Sequence, residues 1–278
     1  MSTVCNRIGN KNKMANIISP YFPPHQIYIE LFFGAGGMFF NKPRAKYNFL
    51  NDIDLNIYNL FFVLMHHKQE LIEGLRHVFL SDQIMKYFKH HPPDEPISKA
   101  VAFLYRSNFS YLGEGNTLKI GIYRHKDFLL KKIEAFQDTM SNCVFLEKDF
   151  REALDTVRWR HETRVPLWDL CFVALDTVMW RHHKDKYRTF LYCDPPYLTG
   201  DTHYHSKWSE ADFKDLITIC IASGMKFAIS EFNNNFVVET AISEGLKIIT
   251  LTDRTTLKNR NTEILLTNYE TNNLFCIY

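Results

Sequence analysis

Gln26-Ile27-Tyr28-Ile29-Glu30-Leu31-Phe32-Phe33-Gly34-Ala35-Gly36-Gly37 begins as an apolar run and ends with three glycines in four residues. The run reads as a buried strand. The glycines read as a turn in which the backbone can come close to a ligand, and Met38-Phe39-Phe40 as the start of a helix. Strand, glycine turn and helix in that order mark the adenosine-binding crevice of a doubly wound α/β sheet. A dinucleotide fingerprint needs a further glycine where Phe39 stands, which disfavours a nicotinamide enzyme. Glu30, at the strand end, suits a positively charged ligand better than a pyrophosphate; the sulfonium cofactor S-adenosylmethionine has that charge.

Working outward, Tyr47-Asn48-Phe49-Leu50 reads as a second strand ending in Asn51-Asp52. A carboxylate at this place can accept both ribose hydroxyls; Asp52 has close to the expected spacing, and Asp54 competes for the role. From Leu55 to Phe79, Leu60, Leu64, Leu71 and Leu75 fall at helical spacing. Cys143-Val144-Phe145-Leu146 resumes the sheet and ends in Glu147-Lys148-Asp149-Phe150. There Asp149 could accept from an adenine amino group and Phe150 could stack on the base.

A second stretch carries the chemistry. Phe190-Leu191-Tyr192-Cys193 reads as a buried strand that must stop at Asp194, because Pro195 and Pro196 have no N–H for a sheet ladder. Asp194, the carbonyl of Pro195 and the ring of Tyr197 are thereby held together. The two oxygens can accept the two hydrogens of an amino group, and a tyrosine face can stack on a planar ring. Adenine offers both features. Downstream, the polar and aromatic stretch 201–209 reads as a loop near the site. Ser209 reads as a cap for a helix over 210–222, and strands are expected over 225–230, 246–251 and 263–268.

The chain of 278 residues has a net charge of only +2, so no global basic field is present. Charge is uneven, however. Between Ile84 and Lys132 there are nine Lys/Arg against four acids, enough for a surface that tracks phosphates. The same region holds Gly113-Glu114-Gly115-Asn116, a hairpin signal with polar and aromatic flanks. Together these predict an inserted lobe, helical with one hairpin. The six cysteines are scattered without a C-x-x-C pair, which argues against a metal site and for a reducing compartment. Neither a signal peptide nor an apolar run of membrane-spanning length is evident, so a cytoplasmic protein without a membrane partner is expected. Ala153-Leu154-Asp155-Thr156-Val157-Arg158-Trp159-Arg160-His161 recurs, with one change, as Ala174 to His182. Two copies are too few for a solenoid and read as a local duplication that lengthens one crossover.

Taken together, Gly9-Asn10-Lys11, the Glu30-to-Gly37 stretch, Asn51-Asp52, Lys148-Asp149-Phe150, Asp194-Pro195-Pro196-Tyr197 and the closing Arg260-Asn261-Thr262-Glu263-Ile264-Leu265-Leu266-Thr267-Asn268-Tyr269 resemble the Dam-type adenine-N6 DNA methyltransferases, including restriction-modification relatives. The resemblance implies an α/β fold: a Rossmann-like S-adenosylmethionine-dependent methyltransferase sheet with an inserted, mainly helical target-recognition lobe carrying a β-hairpin. The expected division is residues 1–65 and 141–278 for the catalytic domain and 66–140 for the lobe. Asp194, Pro195, Pro196 and Tyr197 would be catalytic. Lys11, Glu30, Phe32, Gly34, Gly36, Asp52, Asp149, Phe150 and Asp194 would hold the cofactor. Asn108, Lys119, Arg124 and Lys126 would meet double-stranded DNA. No metal is expected, a cognate restriction endonuclease is an expected partner, and the oligomeric state stays open. The family often has Asp-Pro-Phe-x-Gly where this chain has Glu30-Leu31-Phe32-Phe33-Gly34, and the hairpin differs from that of GATC-reading members. Two other readings stay open here: the same chemistry on ribosomal RNA, and a non-catalytic DNA-binding subunit with the same fold.

Overall fold

The structure is a computed structural model that describes residues 3–7, 9–111, 115–119, 123–136, 140, 142–159, 188–198, 208–255 and 260–271. Most of the 153–182 repeat and the loop over 201–207 lie outside the described residues. Seven strands form one mixed sheet in the order β3-β2-β1-β4-β5-β7-β6. They are β1 (Ile27–Glu30), β2 (Tyr47–Asn51), β3 (Cys143–Leu146), β4 (Thr189–Cys193), β5 (Lys226–Phe232), β6 (Lys247–Thr255) and β7 (Arg260–Thr267). The chain divides into two compact units, residues 1–16, 33–43 and 54–147, and residues 17–32, 44–53 and 148–278.

In the second unit β1 pairs in parallel with β2 on one side and β4 on the other, and β4 pairs in parallel with β5. Strands 1 and 2 are consecutive in the chain, whereas β4 returns to the far side of β1. The β1/β4 boundary is therefore a topological switch point, where doubly wound sheets open a crevice beyond the strand ends. Every residue of β1 and of β4 is buried, as parallel strands covered on both faces require. Tyr28, Phe190 and Tyr192 are fully buried there, with Phe22 against Phe190 at 4.5 Å between ring centroids. The last strand, β7, runs antiparallel to both β5 and β6. The β6 and β7 strands extend beyond the expected 246–251 and 263–268, because cross-strand pairing continues through the polar residues 252–255 and 260–263, with a register shift between Thr250 and Thr252. Helices α7 (Phe150–Trp159), α8 (Glu210–Ser223) and α9 (Asn235–Ser243) complete this unit.

A short helix α1 (Ala15–Ile18) precedes β1, and apart from β3 the first unit is helical: α2 (Leu55–His66), α3 (Lys68–His77), α4 (Asp82–His90), α5 (Pro96–Phe109) and α6 (Tyr123–Glu134). The apolar period from Leu55 to Phe79 is split between two helices, because His67 leaves helical geometry at φ −136°, ψ 37°. Leu60, Leu64, Leu71 and Leu75 are nevertheless all buried. Helix α5 is the centre of the bundle and begins with a strong start signal. Glu95 accepts from the N–H groups of Ile97 and Ser98, and Pro96 takes the first helical position, where a missing N–H costs nothing. Tyr105 of α5 is buried, and its hydroxyl accepts from Ser81 N at 2.8 Å, holding the start of α4. After α5, Ser110 and Leu118 form an antiparallel bridge, flanked by Tyr111 N to Thr117 O at 2.8 Å and Lys119 N to Phe109 O at 2.9 Å. A second aromatic core gathers on Phe33, whose ring centroid lies 5.1 Å from Phe61 and 5.3 Å from Phe145.

Candidate active site

In the second unit, register places Glu30 beside Tyr192, so β1 and β4 end together. The chain leaves β4 as Asp194-Pro195-Pro196-Tyr197 in irregular backbone, with Asp194 half-buried. Tyr197 is tied down at its far end. Its hydroxyl donates to Glu263 Oε1 at 2.9 Å, and its ring meets Phe232 edge-on at 4.4 Å. Burial pushes the Tyr197 phenol well above its usual pKa, and the carboxylates of Asp194 and Glu263 add to the effect. The hydroxyl therefore stays protonated and donates. Tyr192, inside β4, shares a hydrogen bond of 2.8 Å with Ser230 Oγ. Glu30 is buried and accepts from the Tyr28 hydroxyl at 2.8 Å.

One side chain joins three chain segments at this sheet end. Asn51 is buried, and its amide nitrogen donates to Leu31 O at 3.0 Å and Lys148 O at 2.9 Å, while its oxygen accepts from Lys148 N at 3.1 Å. Asp52, the next residue, is buried as well. Close by in the chain stand Phe32 and Phe150, which form a triangle with Trp208: the centroids are 5.5 Å apart for Phe32–Phe150, 5.6 Å for Phe32–Trp208 and 5.5 Å for Phe150–Trp208. The indole Nε1 of Trp208 is buried, and among the described residues it has no hydrogen-bond partner. A buried donor left unsatisfied costs free energy, and an acceptor on a planar ligand would recover it. Reading the sequence did not single out Trp208. Nothing in its surroundings signals it beyond an aromatic residue just before the Ser209 cap.

Asp149 has a structural task. Its Oδ1 accepts from Arg151 N at 3.0 Å, closing the first turn of α7. Arg151 lies 4.4 Å over the Phe150 ring and reaches Asp212 at 2.6 Å and Asp215 at 2.8 Å on α8. Ser209 and Asp212 form a reciprocal capping box at the start of that helix. Burial pushes the Asp212 carboxyl up, but hydrogen bonds from Ser209 and Arg151 outweigh it and hold the carboxyl below its ordinary value of 3.8. A folded pKa below the unfolded one gives stability that is complete above the unfolded value and lost as pH falls through the folded one. Arg151→Ala is therefore expected to cost about 1 kcal/mol at pH 7, as for a partly exposed charge network. The gap from wild type should narrow below about pH 4, in urea titrations at both pH values. A gap that widens on acidification would contradict this.

In the first unit, Gly34 and Gly36 have φ of 53° and 74°, a left-handed backbone that other residues rarely adopt. A Cβ at Gly36 would run into the ring of Phe40 and lie 2.8 Å from Phe33 Cζ. A Cβ at Gly37 would run into Asn10 Oδ1 and lie 2.8 Å from the backbone nitrogens of Lys11 and Asn12. The Gly9-Asn10-Lys11 turn is thus packed directly on the glycine turn. Thr3 Oγ1 accepts from the amides of Asn10 at 2.8 Å and Asn12 at 2.7 Å, and Asn41 bridges Asn12 Oδ1 and Gly37 O. Lys11 is buried. Of the two rival acids, Asp54 caps α2 by accepting from Asn56 N at 3.0 Å and pairs with Arg7 at 3.0 Å, so it has structural employment.

The residues expected to meet DNA are all in the first unit. Asn108 donates its amide to Val4 O and Leu104 O, and Lys126 Nζ donates to Arg76 O and Val78 O at the end of α3. Both hold the first unit together. Lys119 is exposed, and the side chain of Arg124 lies outside the described residues. No described helix is long and apolar enough to cross a membrane.

Comparison with known proteins gives a consistent picture. The profile of the D12 class N6 adenine-specific DNA methyltransferases matches residues 8–163, more than half of the chain. The chain is 25% identical over 213 residues to the DNA adenine methylase of Haemophilus influenzae, covering 70% of this chain and 64% of that protein. It is 23% identical over 217 residues to the DNA adenine methylase of Salmonella typhi, covering 71% of this chain and 67% of that one. Against the Escherichia coli K12 DNA adenine methylase it is 22% identical over 160 residues, covering 52% and 57%. The chain thus spans less than two thirds of the length of the Haemophilus influenzae relative.

Proposed function

Because the chain belongs to the D12 class N6 adenine-specific DNA methyltransferases, we propose that it transfers a methyl group from S-adenosylmethionine to the N6 amine of adenine in DNA. The observation that carries this reading is the placement of Asp194-Pro195-Pro196-Tyr197 at the carboxyl end of β4, next to the end of β1 at the switch point of the sheet.

The residues present fit the cofactor. Phe32, Phe150 and Trp208 offer aromatic faces and one unsatisfied indole N–H to an adenine ring. In the second unit Asp52 suits the ribose hydroxyls and Glu30 the sulfonium charge; in the first unit, taken by itself, the left-handed turn at Gly34 and Gly36 admits close backbone approach, and Lys11 is carried over from the family resemblance. Asp149 would join this set through the loop it shapes. When bound, the cofactor supplies a methyl group on a sulfonium, an electrophile that leaves a neutral thioether.

The protein's part is to make a poor nucleophile attack. The lone pair of adenine's amine is delocalised into the ring. Asp194 and the Pro195 carbonyl accept its two hydrogens, which favours a pyramidal nitrogen with its lone pair free. Pro196 stiffens the path, and Tyr197 stacks on the base. With the cofactor bound, the amine nitrogen would take the methyl carbon as the S–C electron pair returns to sulfur, and Asp194 or water would accept the surplus proton from nitrogen. Positioning and electrostatics carry the rate, without a covalent enzyme intermediate. Extruding the base from a duplex costs roughly a few kcal/mol, to be recovered from contacts to the opened site.

Residues 66–140 would form the DNA-contacting lobe, with the Ser110–Leu118 bridge at the root of its hairpin and residues 1–65 and 141–278 serving catalysis. Lys119→Ala is expected to weaken binding to duplex DNA and to reduce the slope of log K against log salt by about 0.9, one phosphate's share. An unchanged slope would remove Lys119 from the contact surface.

The direct test of the activity is tritiated methyl transfer to unmethylated plasmid DNA, followed by digestion to nucleosides. Label in N6-methyldeoxyadenosine is expected. Label in cytosine, or in ribosomal RNA but not DNA, would overturn the reading. Methylation-sensitive sequencing of an expressing host would give the target site. Resistance of that DNA to a co-encoded restriction endonuclease would identify a nuclease partner.

A further inference from the structure

The closing strand β7 lies within the family-like stretch 260–269 and supplies no group to the reacting amine. Its Glu263 is fully buried, although a carboxylate is among the side chains least often found inside without a specific partner. Glu263 and Phe232 are directly opposed across the β5/β7 pair. Both reach the same target: Phe232 sets its ring at 75° to that of Tyr197, and Glu263 accepts the Tyr197 hydroxyl. The two contacts act on different parts of the tyrosine, one on the ring and one on the hydroxyl, so together they restrict both the position of the side chain and its rotation.

We propose that Glu263 is a positioning residue for methyl transfer: from β7 it fixes the ring of Tyr197, so that the face meant for the target adenine is formed before the base arrives. The inference rests on the adenine-methylating reading. The reason such a clamp is needed lies in the Pro-Pro path. Without N–H donors, Pro195 and Pro196 cannot be stitched into the sheet, so the segment after Asp194 takes its order from side-chain contacts. The Tyr197 hydroxyl remains a donor because burial keeps it protonated. At 2.9 Å the bond to Glu263 is of ordinary length, and together with the edge-on Phe232 ring it fixes the far end of the side chain. The carboxylate itself touches neither base nor cofactor in this assignment.

The test compares single-turnover methyl transfer to unmethylated plasmid DNA by wild type, Glu263→Ala, Glu263→Gln, Tyr197→Phe and the Glu263→Ala/Tyr197→Phe pair. Each is also measured for S-adenosylmethionine affinity by calorimetry and for thermal melting. Glu263→Ala is expected to slow transfer by about 10–100-fold, the scale of misplacing a reacting group, with cofactor affinity within threefold. Glu263→Gln keeps an oxygen acceptor and should recover most of that rate. Tyr197→Phe should lose rate as well, and the double variant should be no slower than the worse single, the signature of a shared contact. The proposal is overturned if Glu263→Ala transfers at the wild-type rate, if Glu263→Gln falls as far as Glu263→Ala, or if the two losses multiply. Should Glu263→Ala fail to melt cooperatively, Glu263→Gln and Tyr197→Phe decide: full rate in Tyr197→Phe overturns the proposal. A wild-type protein that methylates no adenine overturns the functional reading itself, which an active wild type with indifferent variants does not.

Discussion

Asp194→Ala is expected to slow methyl transfer by about 10²–10³-fold or more, the usual cost of removing a preorganised polar group aimed at the reacting atom, while S-adenosylmethionine still binds. On the proposed reading the loss falls on the chemical step, because the carboxylate would grip the amine, whereas Phe32, Phe150 and Trp208 would still face the cofactor. The backbone around Asp194 should not suffer. β4 is buried along its whole length, and Tyr197 is anchored on Glu263. Single-turnover transfer to unmethylated plasmid DNA and a calorimetric cofactor titration separate the two quantities. A variant that transfers at near wild-type rate would take the amine-gripping role away from Asp194.

The second large effect is expected at Gly37→Ala. An added Cβ has nowhere to go: it meets Asn10 Oδ1 and the backbone nitrogens of Lys11 and Asn12, and the Asn10 amide is itself held by Thr3. Backbone cannot step aside as a flexible side chain can, so the Gly9-Asn10-Lys11 turn or the glycine turn must move. Overpacking of this kind costs about 1–3 kcal/mol. It should also weaken S-adenosylmethionine by at least about tenfold, given how steeply binding geometry depends on such shifts. Gly34→Ala is the comparison for stability alone: its Cβ would meet no protein atom, so the left-handed backbone penalty of about 1–2 kcal/mol is the expected cost of folding, while affinity is expected to fall here too because close backbone approach is lost. Calorimetry and urea unfolding of both variants measure this. Wild-type affinity in Gly37→Ala would detach the Lys11 turn from the cofactor site.

What the sequence made legible was local. Apolar runs ending in Glu30 and Cys193 are strands because fully covered parallel strands have no polar face to interrupt them, and the runs ending in Asn51 and Leu146 are strands that are only partly buried. The Pro-Pro break after Asp194 and the Ser209 cap act within a few residues, so they too could be read directly. Three features could not. Asn51 finds Lys148 across 97 residues and Tyr197 finds Glu263 across 66, distances over which no pattern in the chain reports contact. Residue type did not reveal that Asn108 and Lys126 donate to backbone carbonyls within the first unit. The His67 break was hidden because apolar spacing continues through it on both sides.

The joint made by Asn51 is asymmetric toward substitution. On its own side it is a single amide, but its partners are main-chain atoms of Leu31 and Lys148, which every residue type except proline supplies alike. As far as this joint goes, the side chains at 31 and 148 are not what it depends on, although Leu31 is held by its own burial in the core. Position 51 is another matter: aspartate would set a second oxygen against two carbonyls, and glutamine would overshoot by a methylene.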